Sequence, residues 1–143
     1  MLKGIPTMLS PELLKVLMEM GHGDEIVIGD GNFPAADIAK RLVRCDGNNI
    51  PEILDALLRF FPLDTYTKAP VTLMELVPGD DVETPIWDVY REIIKKYEPS
   101  ANGIENIEKF DFYKKARTAY AVISTGEKAL YANIILKKGV VVE

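Results

Sequence analysis

Three places in this chain carry side chains able to do or direct chemistry. The only histidine, His22, sits between Gly21 and Gly23. Glycine neighbours give an imidazole little local cover, and its ordinary pKa of about 6.5 suits it to give and take protons near neutrality. The plainer role for His22 is as a cation at the negative end of the preceding helix, worth about 1 kcal/mol. Asp30 opens the loop Asp30-Gly31-Asn32-Phe33-Pro34. In open α/β sheets ligands gather where strands end, and a carboxylate there can accept from two neighbouring hydroxyls at once. The plainer role is a loop-starting aspartate bonded to its own backbone. Tyr131-Ala132-Asn133 joins a ring that can stack on the apolar face of a sugar to an amide that both donates and accepts. A strand-edge tyrosine and a turn asparagine would give the same letters without a ligand.

Other chemistries are weak. One histidine and one cysteine, Cys45, cannot make a typical zinc site. No phosphate-loop pattern and no Gly-x-Gly-x-x-Gly occurs, and Gly29-Asp30-Gly31 lacks the third glycine and an adjoining long helix. No metal and no cofactor is therefore expected. The net charge of −5 disfavours nucleic acid, which needs a basic face. Cys45 lies beside apolar residues and reads as a packing residue, with no intrachain partner for a disulfide. Residues 1–7 do not read as a signal peptide, and no apolar run approaches the roughly 18 residues of a membrane span. The cytoplasm is the expected compartment. With 143 residues, 48% of them hydrophobic and 27% charged, the chain is expected to fold as one domain over residues 1–143.

The elements that must position these groups alternate between helix and strand. Ser10-Pro11-Glu12 starts a helix, Leu13, Leu14, Leu17 and Met18 form its apolar face, and Gly21 is placed to end it in a left-handed conformation. Strands are expected at 25–28, 42–45, 71–77 and 104–107. Pro51 opens a helix burying Ile53, Leu54, Leu57, Leu58 and Phe61, and Thr84-Pro85 opens another that runs to Tyr97. A short helix is expected at 110–116. Tyr66, Tyr90 and Tyr97 read as surface or core residues, and the charged stretch 91–96 as a solvated helix face. Two apolar runs, 120–124 and 134–136, flank a turn at Gly126 and leave room for a C-terminal antiparallel hairpin. The pattern predicts a single α/β domain with a largely parallel sheet covered by helices on both faces.

Together these segments resemble the L-fucose mutarotase and D-ribose pyranase family. Met1 to Pro6, Leu9-Ser10-Pro11-Glu12-Leu13-Leu14 and Glu19-Met20-Gly21-His22-Gly23-Asp24-Glu25-Ile26 are similar to its fucose branch. Asp30 to Pro34 matches the family's Asp-x-x-x-Pro loop. Thr125-Gly126-Glu127, Tyr131-Ala132-Asn133 and Ile134-Ile135-Leu136-Lys137-Lys138-Gly139-Val140 match its C-terminal signature. The resemblance implies a cofactor-free isomerase of free monosaccharides with His22 as proton donor and Asp30, Tyr131, Ala132 and Asn133 as sugar contacts. It also implies a contact just before the Phe110-Asp111-Phe112-Tyr113 helix start. Lys109 stands there in place of the arginine of fucose-type members, and lysine offers a point charge where arginine offers a planar fork. Tyr120, which opens the first C-terminal apolar run, joins the substrate-binding candidates. Ring-shaped assemblies, commonly decamers, with sites near subunit contacts are implied as well. The alternatives are a D-ribose pyranase-type enzyme and a non-catalytic sugar-binding regulatory protein.

Mutarotation opens a hemiacetal ring and closes it on the other face, which takes two proton transfers and no hydride carrier. His22 and Asp30 lie eight residues apart, at opposite ends of an apparent strand. At about 3.3 Å per residue the extended part spans about 20–23 Å, far more than a monosaccharide. Either the chain folds back after Gly23, or a neighbouring subunit supplies one of the two groups.

Overall fold

The computed structural model describes residues 1–143. Ser10 starts the first helix, α1 (Pro11–Glu19): its hydroxyl accepts the Leu13 amide at 3.1 Å, and Pro11 occupies the first position, where a missing N–H costs nothing. The helix ends on Met20, whose backbone is extended, and the positive φ of 87° falls at Gly23. Gly21 is therefore not the left-handed stop. The turn from Gly21 to Asp24 closes instead with the Asp24 amide on the Gly21 carbonyl at 3.2 Å.

The remaining elements follow as β1 (Glu25–Gly29), α2 (Ala35–Ile38), β2 (Leu42–Cys45), α3 (Ile50–Leu58), β3 (Val71–Met74), α4 (Pro85–Tyr97), β4 (Ile104–Ile107), α5 (Lys109–Thr118), β5 (Ala121–Thr125) and β6 (Ile134–Lys137). The expected alternation is present, with three local corrections. Phe61 lies beyond the end of α3, though it is buried. Thr84 makes no side-chain cap, so Pro85 alone marks the start of α4. The strand expected over 71–77 stops at Met74.

The sheet has six strands in the order β2-β5-β1-β6-β3-β4. β1, β2 and β5 are parallel, as are β3 and β4, and β6 runs antiparallel to both β1 and β3. The sheet is thus mixed, with β6 reversed between parallel halves. No C-terminal hairpin forms, because β1 lies between β5 and β6.

Strand side chains alternate between two cores, as a period of two requires. Ile26 and Ile28, Ala121 and Ile123, and Ile134 and Leu136 pack with α1, α3 and α4 on one face. Val27, Val122 and Ile135 pack with α2 and α5 on the other. Helices therefore cover both faces. Cys45 is buried in the larger core, and burial pushes its thiol pKa up, as suits a packing residue.

Candidate active site

β1 and β6 run antiparallel from Glu25 opposite Lys137 to Ile28 opposite Ile134. Asp30 follows β1 and Asn133 precedes β6, so the ladder brings them side by side at one end of the sheet. The Asn133 Oδ1 accepts the Asp30 amide at 2.8 Å, and the Asp30 Oδ1 accepts the Asn32 amide at 2.9 Å. Asp30 is 8% exposed. Burial pushes its carboxyl pKa up; the Asn32 and Phe33 amides oppose this, and the charge of Glu127 adds to it. The Asx turn expected as the plain role is present, and Asp30 also lines a pocket.

Asp30, Asn133, Lys109 and Tyr131 line one pocket of about 240 Å³, with Phe33, Met74, Tyr113 and Leu130 as its apolar wall. Lys109 is the first residue of α5; its Nζ lies 5.7 Å from the centre of the Tyr113 ring. Met74 ends β3 and Lys109 follows β4, so the sheet order sets a carboxylate, an amide, a thioether and an ammonium along one edge. Such a lining can hold a polyhydroxylated ring with an apolar side.

The Tyr-Ala-Asn segment is held from behind. Tyr131 is the only non-glycine residue at positive φ, 56°. Its carbonyl accepts from the Trp87 indole at 2.8 Å, and the Ala132 carbonyl accepts from the Tyr90 hydroxyl at 2.7 Å. Ala132 is fully buried and serves this framework; its side chain does not reach the pocket. Tyr90 is fully buried as well, and burial drives its phenol pKa upward. The Tyr131 hydroxyl accepts the Val77 amide at 3.2 Å and donates to Asp80. These bonds tie Tyr131 to Val77 and Asp80, which line the same pocket.

His22 lies at the other end of β1. Its Nε2 is 3.0 Å from the Asp64 Oδ1, with the imidazole 47% exposed and the carboxylate 5% exposed. The Tyr66 ring stands 5.4 Å away, tilted by 52°. Asp64 also accepts the Tyr66 and Thr67 amides at 3.3 and 3.2 Å. Burial raises its pKa, but the His22 bond and the two amides outweigh it and hold the carboxyl below the ordinary range. An ionised carboxylate only accepts, so Nε2 carries the proton and Nδ1 is the nitrogen left to exchange one. Sequence reasoning missed Asp64, Trp87, Tyr90 and Asp80. Asp64 carries the local signal of an Asx turn, yet nothing in a separation of 42 residues ties it to His22.

Tyr120 also sits at the far end. Its amide donates to the Glu25 carbonyl at 2.8 Å, its hydroxyl donates to Glu19 at 3.1 Å, and the Arg41 guanidinium lies 3.9 Å over its ring. One chain therefore gathers Asp30, Lys109, Tyr131 and Asn133, and leaves His22 and Tyr120 outside their pocket. From Asp24 to Asp30 the extended backbone covers about 20 Å. The turn at Gly23 does not bring the imidazole back across that length, since its partner Asp64 lies beside Lys137 at the same far end, with its amide on the Lys137 carbonyl at 3.0 Å.

A family model described as the RbsD / FucU transport protein family matches residues 3–141. The chain belongs to this family. Among relatives in the RbsD / FucU family, a fucose mutarotase from Homo sapiens is 49% identical over 145 residues, covering 97% of this chain and 94% of that one. A FucU structure from Bifidobacterium longum is 59% identical with a TM-score of 0.95, covering 98% of this chain and 100% of that one. The crystal structure of the fucose mutarotase from Streptococcus pneumoniae in complex with L-fucose is 52% identical with a TM-score of 0.94, covering 99% and 100%.

Proposed function

We propose that the protein is an isomerase, a mutarotase that interconverts the α and β anomers of L-fucose. The observation that carries this reading is the full-length likeness, at 52% identity and a TM-score of 0.94, to a fucose mutarotase solved with L-fucose. The pocket supports it with groups suited to a deoxy sugar: a carboxylate, an amide and an ammonium for hydroxyls, and an apolar wall for the methyl side.

In this proposal Asp30 and Asn133 take neighbouring sugar hydroxyls, Lys109 donates to another oxygen, and Tyr131 presents its ring. His22 acts as general acid. It protonates the ring oxygen as the C1–O5 bond breaks, while the anomeric hydroxyl gives its proton to a carboxylate, directly or through a tyrosine or water relay. Rotation about C1–C2 and reclosure deliver the other anomer. Each proton transfer is worth about 10²–10⁴-fold, and neither needs a metal or a hydride carrier. Asp64 holds the imidazole by Nε2.

Because one chain sets His22 and the pocket at opposite sheet ends, we place the working site across a subunit contact, with His22 from one protomer and Asp30 from the next. A closed ring, with the decamer as the proposed count, repeats that junction without leaving an open one. The whole chain acts as a single sugar-isomerising domain in the cytoplasm. No helix is long and apolar enough to cross a membrane. Saturation-transfer NMR on L-fucose, galactose and ribose tests the function. Exchange of the fucose anomers well above the buffer rate without added metal is expected. Buffer-rate exchange with all three sugars would end the enzyme reading.

A further inference from the structure

The C-terminal run Leu136-Lys137-Lys138-Gly139 belongs to neither the pocket nor the proton transfer, yet it meets every segment that holds His22. The α1 helix has no basic residue in its last turn. Its end is closed instead from far along the chain: the Lys138 Nζ donates to the Leu17 carbonyl at 3.0 Å and to the Met20 carbonyl at 2.5 Å. A cation there satisfies carbonyls that the helix leaves unpaired and faces the negative end of its dipole. The next residues are Gly21 and His22.

The backbone of the same residue grips the other side of the histidine turn. The Gly23 amide donates to the Lys138 carbonyl at 2.8 Å, and the Lys138 amide donates to the Asp24 carbonyl at 2.8 Å. Lys138 also bridges to Leu63, the residue before Asp64. The Gly139 amide donates to the Pro62 carbonyl at 2.8 Å. A Cβ on Gly139 would lie 2.6 Å from the Leu63 oxygen and 2.9 Å from the Asp64 Cα, so only glycine lets the two backbones come this close. The end of α1 and the adjoining turn that carries His22 thus meet, at Lys138, the stretch that carries Asp64, 42 residues beyond His22.

We infer that Lys138 is a positioning residue for His22: its ammonium, clamped on the last carbonyls of α1, sets the turn that keeps His22 Nε2 on Asp64. The inference rests on the proposed role of His22 only for its kinetic consequence. Its structural content stands apart from any activity. The hydrogen bond to Asp64 selects one tautomer of the neutral ring, with the proton on Nε2. Remove the clamp, and the turn is free to carry the imidazole off the carboxylate. The ring then takes both tautomers, and the general acid loses its orientation.

The chain has one histidine, so long-range proton–nitrogen NMR of the imidazole gives a single, unambiguous pattern. The wild-type protein is expected to show the Nε2–H tautomer. Lys138→Met, with its folding read from the dispersion of the backbone amides, is expected to show mixed tautomers. Its kcat for anomer exchange should fall at least about tenfold with KM within about twofold, since a displacement on the order of 1 Å can cost up to about 10²-fold. Lys138→Arg, which keeps a cationic donor, is expected to restore both readouts. If Lys138→Met does not fold, Lys138→Gln carries the same measurements with the same expectations. A folded variant that lacks the ammonium and melts earlier, yet keeps the pure Nε2–H tautomer, would overturn the inference and leave Lys138 as a helix cap alone. If the wild-type protein exchanged no sugar, the function would fail while the tautomer comparison still decided the role of Lys138.

Discussion

Asp64→Asn changes the His22–Asp64 pair by one heavy atom and leaves its shape intact. In the native protein the carboxylate faces the imidazole at 3.0 Å from a site only 5% exposed, and it is kept ionised by His22 and by the Tyr66 and Thr67 amides. The amide side chain can still accept one backbone N–H, so the local turn should survive. What is lost is the charge behind the imidazole. Hydrogen bonds to charged groups contribute about 1.5–3 kcal/mol, which corresponds to roughly 10- to 150-fold in rate. The imidazole is 47% exposed, and water screens part of that interaction. The low end applies, a loss of roughly tenfold in kcat. Exchange NMR on L-fucose gives kcat and KM, and a thermal melt checks the fold. A folded variant with turnover within about twofold of wild type would refute the reasoning, because an oriented, charge-supported acid cannot lose its support at no cost.

Two further outcomes follow from the pocket. Asp30→Asn should weaken sugar binding and raise stability at neutral pH. Burial places the folded-state pKa of Asp30 above its ordinary value of 3.8, so stability is full below that value and is lost as pH rises through the folded pKa. Melting temperatures of wild type and variant should therefore differ at neutral pH and converge in acid; a variant that is less stable at neutral pH would contradict this. Tyr90→Phe strips the hydroxyl from a fully buried contact and leaves the Ala132 carbonyl unpaired, at a cost of about 1–3 kcal/mol read by urea unfolding, with a raised KM. An unchanged midpoint would mean that the Tyr131–Asn133 segment does not depend on this brace.

Much of the frame was legible because its signals are local. Ser10-Pro11 marks the start of α1, and the apolar runs at 25–28 and 134–136 fall in β1 and β6. The α2 helix was not, since four residues from Ala35 to Ile38 are too few to show a period. The absent hairpin has a different cause. Nothing in the turn at Gly126 reveals that β1, from far earlier in the chain, enters between β5 and β6 and pairs with both. In the site, Asp30, Tyr131 and Asn133 announced themselves by residue type beside strand ends. Asp64, Tyr90 and Lys138 did not, because each acts through a partner at least 42 residues away.

The most direct test of the account co-assembles His22→Gln and Asp30→Asn subunits in equal amounts and measures L-fucose anomer exchange at low sugar. Each variant alone should be nearly inactive. If every site draws its imidazole from one protomer and its carboxylate from the next, random mixing in a closed ring leaves about one site in four with both native groups, and about a quarter of wild-type exchange returns. If the mixture stays as inactive as its parents, His22 and Asp30 do not serve one sugar across a subunit contact, and the shared acid–base site is wrong.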